Sequence, residues 1–225
     1  MNADLPVGQA GSDWLSAALA EVARDPDSIT RAFAFAARRV GRAPLRPDTD
    51  PSGVVHGTVD DAARAALVVA LADAVGTGPD CADRLTALYR QGDAAERRGV
   101  LRGLDALTER GGLGSPDTDT DAGALVAAGL DLAADALRTN DPSLVAAAVG
   151  PFGARCLDQH TWRHAVLKLV FQGVSLDAVS NLDARADAEL DRMARDFAAE
   201  RRAAGRPVPT DLDRLTTTRL SSTKE

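Results

Sequence analysis

The chain has 225 residues, of which 45% are hydrophobic, and this is enough for one sizeable core in one domain or at most two small ones. Its net charge of -7 argues against a general nucleic-acid or anionic-membrane partner. Alanine and leucine supply most of the apolar side chains and only 4% of residues are aromatic, a composition that favours closely packed helices over sheets.

Helix-capping and helix-breaking residues divide the first half of the chain. Ser12 or Asp13 can cap a first helix, and residues 25–27 (Asp-Pro-Asp) end it and start a second. Residues 41–58 are rich in Pro, Asp and Gly and predict a loop. Three arginines near the carboxyl end of the second helix suit the helix dipole, and we interpret them as a solvated helix end: Arg38, Arg39 and Arg42.

Three more helices are predicted before residue 111. One begins at Asp60 or Asp61, and residues 76–79 (Gly-Thr-Gly-Pro) separate it from a shorter helix. Asp93 and Glu96 have the spacing of a capping box at the start of the next. Two arginines at this start are interpreted as partners in salt bridges between helices: Arg97 and Arg98.

Residues 111–121 predict a flexible acidic loop. Three of its aspartates have the spacing of the first calcium ligands of a calcium loop: Asp117, Asp119 and Asp121. That motif also needs a glycine and an acid where this chain has Ala122 and Ala128, so we reject a calcium site. Residues 111–114 (Gly-Gly-Leu-Gly) precede no Gly-Lys-Ser/Thr, so we reject a phosphate loop as well.

The second half of the chain predicts further helices. Residues 140–142 (Asn-Asp-Pro) end one helix and cap its successor, and residues 150–151 (Gly-Pro) interrupt the chain again. Later helices are expected over three ranges: 159–171, 176–179 and 184–204. Residues 206–225 are polar and lack an apolar stripe, and they predict a flexible tail after a single all-α domain over residues 1–205.

The pattern as a whole predicts an all-α protein. No stretch alternates apolar and polar residues, so we expect no sheet. Helices with short breaks favour stacked antiparallel pairs, either a HEAT-like α-solenoid or an irregular helical bundle. We expect no signal peptide and no membrane span, and hence a cytoplasmic protein. The two cysteines, Cys81 and Cys156, are interpreted as small buried hydrophobes.

One predicted helix combines an apolar face with basic residues. Trp162 and Val166 belong to the apolar face, while His160, His164 and Lys168 recur every fourth residue on another. From residue 165 to 170 the helix is apolar nearly all round, which is typical of a buried helix. A lysine there must extend to solvent, pair with a carboxylate or face a polar cavity.

Three interpretations of this helix stay open. Lys168 can pair with an acid such as Asp158 or one from a neighbouring helix. Arg155 and Arg163 make the region basic within an acidic protein, which favours a pocket for an anionic or polar metabolite. The two histidines can also share a metal ion at their four-residue spacing, although no third ligand is indicated and we predict no metal or other cofactor.

The residues from 137 to 209 resemble the EboA family of metabolite traffic proteins. The most characteristic part is Trp162 followed by residues 166–168 (Val-Leu-Lys), with residues 140–142 (Asn-Asp-Pro) before it. The resemblance implies a small cytoplasmic member of a gene cluster that modifies and moves a secondary metabolite. The resemblance supplies no catalytic residues for this sequence.

The leading functional hypothesis is a non-catalytic binding or adaptor protein for metabolite handling, whose partners are the metabolite, proteins of the same gene cluster, or both. One alternative is an enzyme acting on a polar or phosphorylated intermediate, with His160 or His164 as acid/base and Lys168 as anion stabiliser. Another is a scaffold without a small-molecule site. The predicted ligand-binding residues are Asn140, Arg155, Asp158, His160, Trp162, Arg163, His164 and Lys168.

Overall fold

The computed structural model describes residues 6–113 and 121–217, and over these residues the prediction of an all-α fold is confirmed. Within those ranges no strand forms, and an isolated antiparallel bridge joins Pro44 to Thr58. The α-helices in chain order are α1 (Gln9–Arg24), α2 (Ile29–Val40), α3 (Val59–Val75), α4 (Pro79–Gln91), α5 (Ala94–Glu109), α6 (Asp121–Arg138), α7 (Pro142–Ala148), α8 (Pro151–Cys156), α9 (Gln159–Gln172), α10 (Leu182–Arg185), α11 (Ala188–Ala203) and α12 (Asp211–Thr217).

Side-chain caps set several of the helix starts. The predicted capping box is present, since the Glu96 amide donates to Asp93 at 2.9 Å and the Asp93 amide donates to Glu96 at 2.8 Å. Helix α3 begins at Val59, slightly earlier than predicted, because Thr58 and Asp61 form a second capping box there. The capping box of α5 joins residues only three positions apart, which explains why this helix start is predictable from the sequence.

Helix α3 lies at the centre of the amino-terminal half, where it packs against α1, α2 and α5. Gly99 and Gly103 on α5 let the two backbones approach closely, because a Cβ at Gly103 would lie 2.5 Å from the Cβ of Val68. The helices thus share one continuous apolar core, which extends as far as Leu215 of α12. A HEAT-like order of stacking stays a prediction.

Charged side chains join these helices inside the core. Arg64 and Asp60 form an ion pair at 2.5 Å that is almost fully buried, and Arg64 also donates to the Phe33 carbonyl at 3.1 Å. Arg98 pairs with Asp61 on α3 at 2.7 Å, which confirms the predicted salt bridge between helices. Its neighbour Arg97 instead donates to a backbone carbonyl, that of Gly92.

The structure differs from the sequence prediction in two places near the carboxyl end. The range 206–217, predicted as part of a polar tail, includes α12, in which Leu212 and Leu215 are buried against α11. Two leucines three residues apart were too short a pattern to detect. The last long helix begins at Ala188 rather than near residue 184, because Asp187 caps it through the Leu190 amide at 3.0 Å.

The structure also bears on the predictions for the two cysteines, the rejected loops and a membrane span. Cys81 is buried as expected, whereas Cys156 is only half-buried. The rejected calcium and phosphate loops include residues that lie outside the described ranges: Gly114, Asp117 and Asp119. No helix within the described part of the chain is long and apolar enough to cross a bilayer.

Candidate functional site

Lys168 lies on α9 and reaches the carboxyl end of α6. Its half-buried ammonium group donates to the carbonyl oxygens of Leu137 and Thr139, each at 2.6 Å. Helix carboxyl ends leave carbonyl groups without helical partners and carry partial negative charge, so a cation is well placed there. The proposed pairing with Asp158 is wrong, because Asp158 caps α9 through the Thr161 amide at 2.9 Å.

His160 and His164 are both exposed and lie next to each other. Their ring centres are 4.5 Å apart with the planes tilted by 59°. Together with Lys168 they line an open depression of about 230 Å³ beside Leu137. Among the described residues, no group of three His, Cys, Asp or Glu side chains is placed to hold a metal ion, so the two histidines make at most an incomplete site.

The other predicted site residues lie outside this depression. Trp162 is fully buried and lies under the Arg185 guanidinium, whose central carbon is 4.7 Å from the ring centre. Arg163 pairs with Asp187 at the start of α11. Arg155 is exposed and makes no ion pair with a described residue, and Asn140 is an exposed loop residue whose carbonyl accepts from Gln172 at 3.3 Å.

The structure therefore separates the eight predicted site residues. Three of them, His160, His164 and Lys168, share the depression on α9, which we call the α9 depression. Trp162 and Arg163 hold the carboxyl-terminal helices together. The enclosed pocket that the basic pattern suggested is not formed, and ligand binding by these residues stays a prediction.

A larger groove lies where the loop at 41–58 meets the segment at 176–184 and α12. We call it the His56 groove; its volume is about 710 Å³, within the range of small-molecule sites. Most of its lining side chains are polar or charged, which suits a hydrophilic ligand. The residues that carry this character are Arg46, Thr49, His56, Asp177, Asn181, Asp183 and Arg214.

One wall of the His56 groove is fixed by a buried carboxylate. Asp50 accepts hydrogen bonds from the amides of Val54, Val55 and His56 at 3.1, 2.9 and 2.8 Å. Burial by itself raises the pKa of Asp50, but these bonds and one from Ser52 outweigh it and the pKa lies below its usual value. The loop that carries His56 is therefore ordered around an ionised aspartate.

The opposite wall is tied to two other parts of the fold. Ser180 donates its amide to the Val149 carbonyl at 3.1 Å, and the Leu176 amide donates to Asp211 on α12 at 2.9 Å. Asn181 has a left-handed backbone with φ of 56°, which asparagine tolerates better than most residues. This turn brings Asn181 and Asp183 to the groove at the start of α10.

Charges of both signs meet in the His56 groove. Arg214 pairs with Asp177 at 2.8 Å, and this hydrogen bond, with a smaller contribution from His56, holds the pKa of Asp177 below its usual value. Arg46 is exposed and forms no ion pair with any residue of the described ranges. The groove thus offers a guanidinium for an anionic group, and amide, hydroxyl and carboxylate groups for hydrogen bonds.

Sequence reasoning missed this groove for a physical reason. The sequence predicts only a loop over residues 41–58 and part of a tail over residues 206–217, and neither segment carries a spacing that indicates chemistry. His56 and Arg214 are 158 positions apart in sequence, so nothing local connects them. The single local signal was a histidine within a loop rich in proline, glycine and aspartate.

Comparison with known proteins gives one family. Residues 128–217 match the family model described as "Metabolite traffic protein EboA", which confirms the resemblance seen in the sequence. The matched range contains the α9 depression and the 176–217 side of the His56 groove, but not Arg46 or His56. No curated protein and no solved structure matches the chain.

Proposed function

Starting from the match of residues 128–217 to the EboA model, we propose that this chain is a binding or adaptor protein that holds a polar metabolite during its traffic. The observation that carries the proposal is the His56 groove, with its volume of about 710 Å³ and its polar lining. The family name supports the role in metabolite traffic. Membership of a gene cluster for a secondary metabolite, and a role without catalysis, are parts of the proposal.

The lining of the groove suggests the class of ligand. Arg46 forms no ion pair with a described residue, and its guanidinium N–H groups can donate hydrogen bonds to a carboxylate or phosphate group of a ligand. Asp183 and Asn181 on the opposite wall suit hydroxyl or amine groups. The proposed ligand is therefore a small molecule with an anionic group and several hydrogen-bonding groups.

The α9 depression is the second candidate for the same function. His160, His164 and Lys168 line it, and all three lie inside the matched range. Lys168 already donates to two carbonyl groups, which reduces its capacity to hold a ligand. The enzyme alternative, with a histidine as acid/base, would also use this depression, but nothing in its geometry favours a reaction.

Thermal-shift and calorimetric screening with carboxylates, phosphates and cyclitols tests the proposal. We expect at least one of these classes to bind, and the Arg46→Glu variant to bind it at least about tenfold more weakly. Arg155→Glu is the matched control, since Arg155 is also exposed and unpaired among the described residues but lies outside the groove. If His164→Ala weakens ligand binding and Arg46→Glu does not, the binding site is the α9 depression. If none of these ligand classes binds, the proposal is refuted.

A further inference from the structure

A second concave surface lies between α1 and α2, and we call it the α1–α2 groove. Its volume is about 400 Å³. Trp14 on α1 and Phe35 on α2 are its aromatic side chains, and alanines from both helices, among them Ala17 and Ala32, also line it. Phe35 is 39% exposed, and among the described residues Phe171 is the other large hydrophobic side chain that is exposed.

The same face of α2 carries positive charge that the fold leaves unneutralised. Arg31, Arg38 and Arg39 are exposed, and none of them forms an ion pair with a residue in ranges 6–113 or 121–217. The Arg38 guanidinium instead lies 5.6 Å from the centre of the Phe35 ring. Most arginines elsewhere in the described structure do have a carboxylate or carbonyl partner, for example Arg84, which contacts both Asp27 and Asp80.

The spacing of these groups follows a helical repeat. Arg31, Phe35 and Arg39 are successive fourth residues, so two charges flank one aromatic ring over about 12 Å of helix. All three line the α1–α2 groove, as does one acidic residue, Glu21. The groove therefore combines an apolar centre with a basic rim in a protein whose net charge is -7.

We propose that the α1–α2 groove docks an acidic amphipathic helical segment of a partner protein. An apolar side chain of that segment would lie between Trp14 and Phe35, and carboxylates one turn to either side would pair with Arg31 and Arg39. Charge complementarity favours an acidic partner, because carboxylates can pair with Arg31 and Arg39 whereas a basic segment would be repelled by them.

A lipid surface fits the same residues less well. The apolar face of α2 is already buried in the core through Ile29, Phe33 and Ala36, so Phe35 is the exposed aromatic side chain that α2 could insert into a bilayer. The remaining apolar surface lies inside a concavity that a side chain can enter and a flat bilayer cannot follow. This inference uses other residues than the His56 groove and does not depend on it.

A designed helical peptide of about 16 residues provides the test, with leucine at the central anchor and glutamates one turn away on both sides. Fluorescence anisotropy should show saturable binding that weakens as salt is added. The Arg31→Glu/Arg39→Glu variant should bind at least about tenfold more weakly, and a peptide with lysines in place of the glutamates should bind that variant better than it binds the unmodified protein. Phe35→Ala should also weaken binding, because the anchor loses one wall.

Arg202→Glu/Arg206→Glu is the matched control, because both arginines are exposed and the change in charge is the same. It should leave peptide binding unchanged, and circular dichroism should show that all variants fold. If peptide binding weakens equally in the control, the effect comes from the net charge of the protein and not from the groove, and the proposal is overturned. The absence of peptide binding would also overturn the proposal. So would tighter binding to vesicles of phosphatidylglycerol and phosphatidylcholine than to the peptide, if the Arg31→Glu/Arg39→Glu variant loses that binding, because the groove would then be a membrane surface.

Discussion

Lys168 on α9 donates a hydrogen bond of 2.6 Å to the carbonyl oxygen of Leu137, near the end of α6. A second bond of the same length reaches the Thr139 carbonyl. These contacts explain how the apolar stretch of α9 at residues 165–170 contains a lysine, since the ammonium group satisfies carbonyl groups that the end of α6 leaves without partners. They also give Lys168 a structural role that does not require a ligand.

Replacement of Lys168 by methionine should therefore destabilise the protein. The substitution leaves two carbonyl groups without their donor, and we expect the free energy of unfolding to fall by about 1–3 kcal/mol. Urea unfolding followed by circular dichroism measures the change. Arg155→Met is the control, with an expected change within about 0.5 kcal/mol because Arg155 is exposed and unpaired among the described residues. A Lys168→Met protein as stable as the unmodified one would show that these bonds contribute nothing net.

Asp187 joins the start of α11 to α9, and its replacement by alanine should also destabilise the fold. The carboxylate caps α11 through the Leu190 amide and pairs with Arg163. Because the Asp187 and Arg163 side chains are both partly exposed, we expect the free energy of unfolding to fall by only about 1–2 kcal/mol, mostly from loss of the cap. Asp196→Ala, which removes an exposed partner of Arg192, should change the free energy of unfolding much less than Asp187→Ala does.

The Arg163 guanidinium also gives the Asp187 contribution a dependence on pH. Its hydrogen bond is the largest cause that holds the pKa of Asp187 below the usual value of 3.8. The stabilisation is therefore complete above the pKa of the unfolded chain and is lost as the pH falls below it. The difference between the unmodified protein and Asp187→Ala should be constant near neutral pH and shrink in acid; a difference that grows in acid would contradict this.

Asp105 should make the protein less stable as the pH rises from about 4 to about 7. Burial is the largest cause that raises its pKa from 3.8 to about 7, and Arg102 and the Phe152 amide offset it only in part. Between these values the folded protein keeps a proton that the unfolded chain has lost, at a cost of up to about 1.4 kcal/mol per pH unit.

Asp105→Asn tests this assignment, because an amide cannot ionise. Urea unfolding across the same pH range should show a smaller fall in stability for the variant than for the unmodified protein, and above pH 7 the two curves should run parallel. Identical slopes from pH 4 to 7 would show that Asp105 does not titrate as described.

Gly103→Ala should separate α3 from α5. The new Cβ would lie 2.5 Å from the Cβ of Val68, so one helix must shift, and we expect a loss of about 1–3 kcal/mol in the free energy of unfolding. Gly112→Ala is the control, because a Cβ there meets only ordinary contacts with Leu107. Similar stability of the two variants would mean that the helices can move apart at little cost.

The sequence by itself determined the helical class and many of the helix limits. Caps such as Asp93 with Glu96 act within three or four residues, so a local pattern is enough to find them. The same was true of the buried face of α9, where Trp162 and Val166 follow the helical repeat and are fully buried.

Only the tertiary structure decided where the polar groups meet. Lys168 finds its partners about thirty residues earlier in the chain, at a helix end whose free carbonyl groups the sequence does not mark. The His56 groove joins three segments that are distant in sequence, and Arg46 and Asp183 face it because helices between them pack in one particular way. Helical periodicity reports which face is apolar, but it carries no information on which distant element that face will meet.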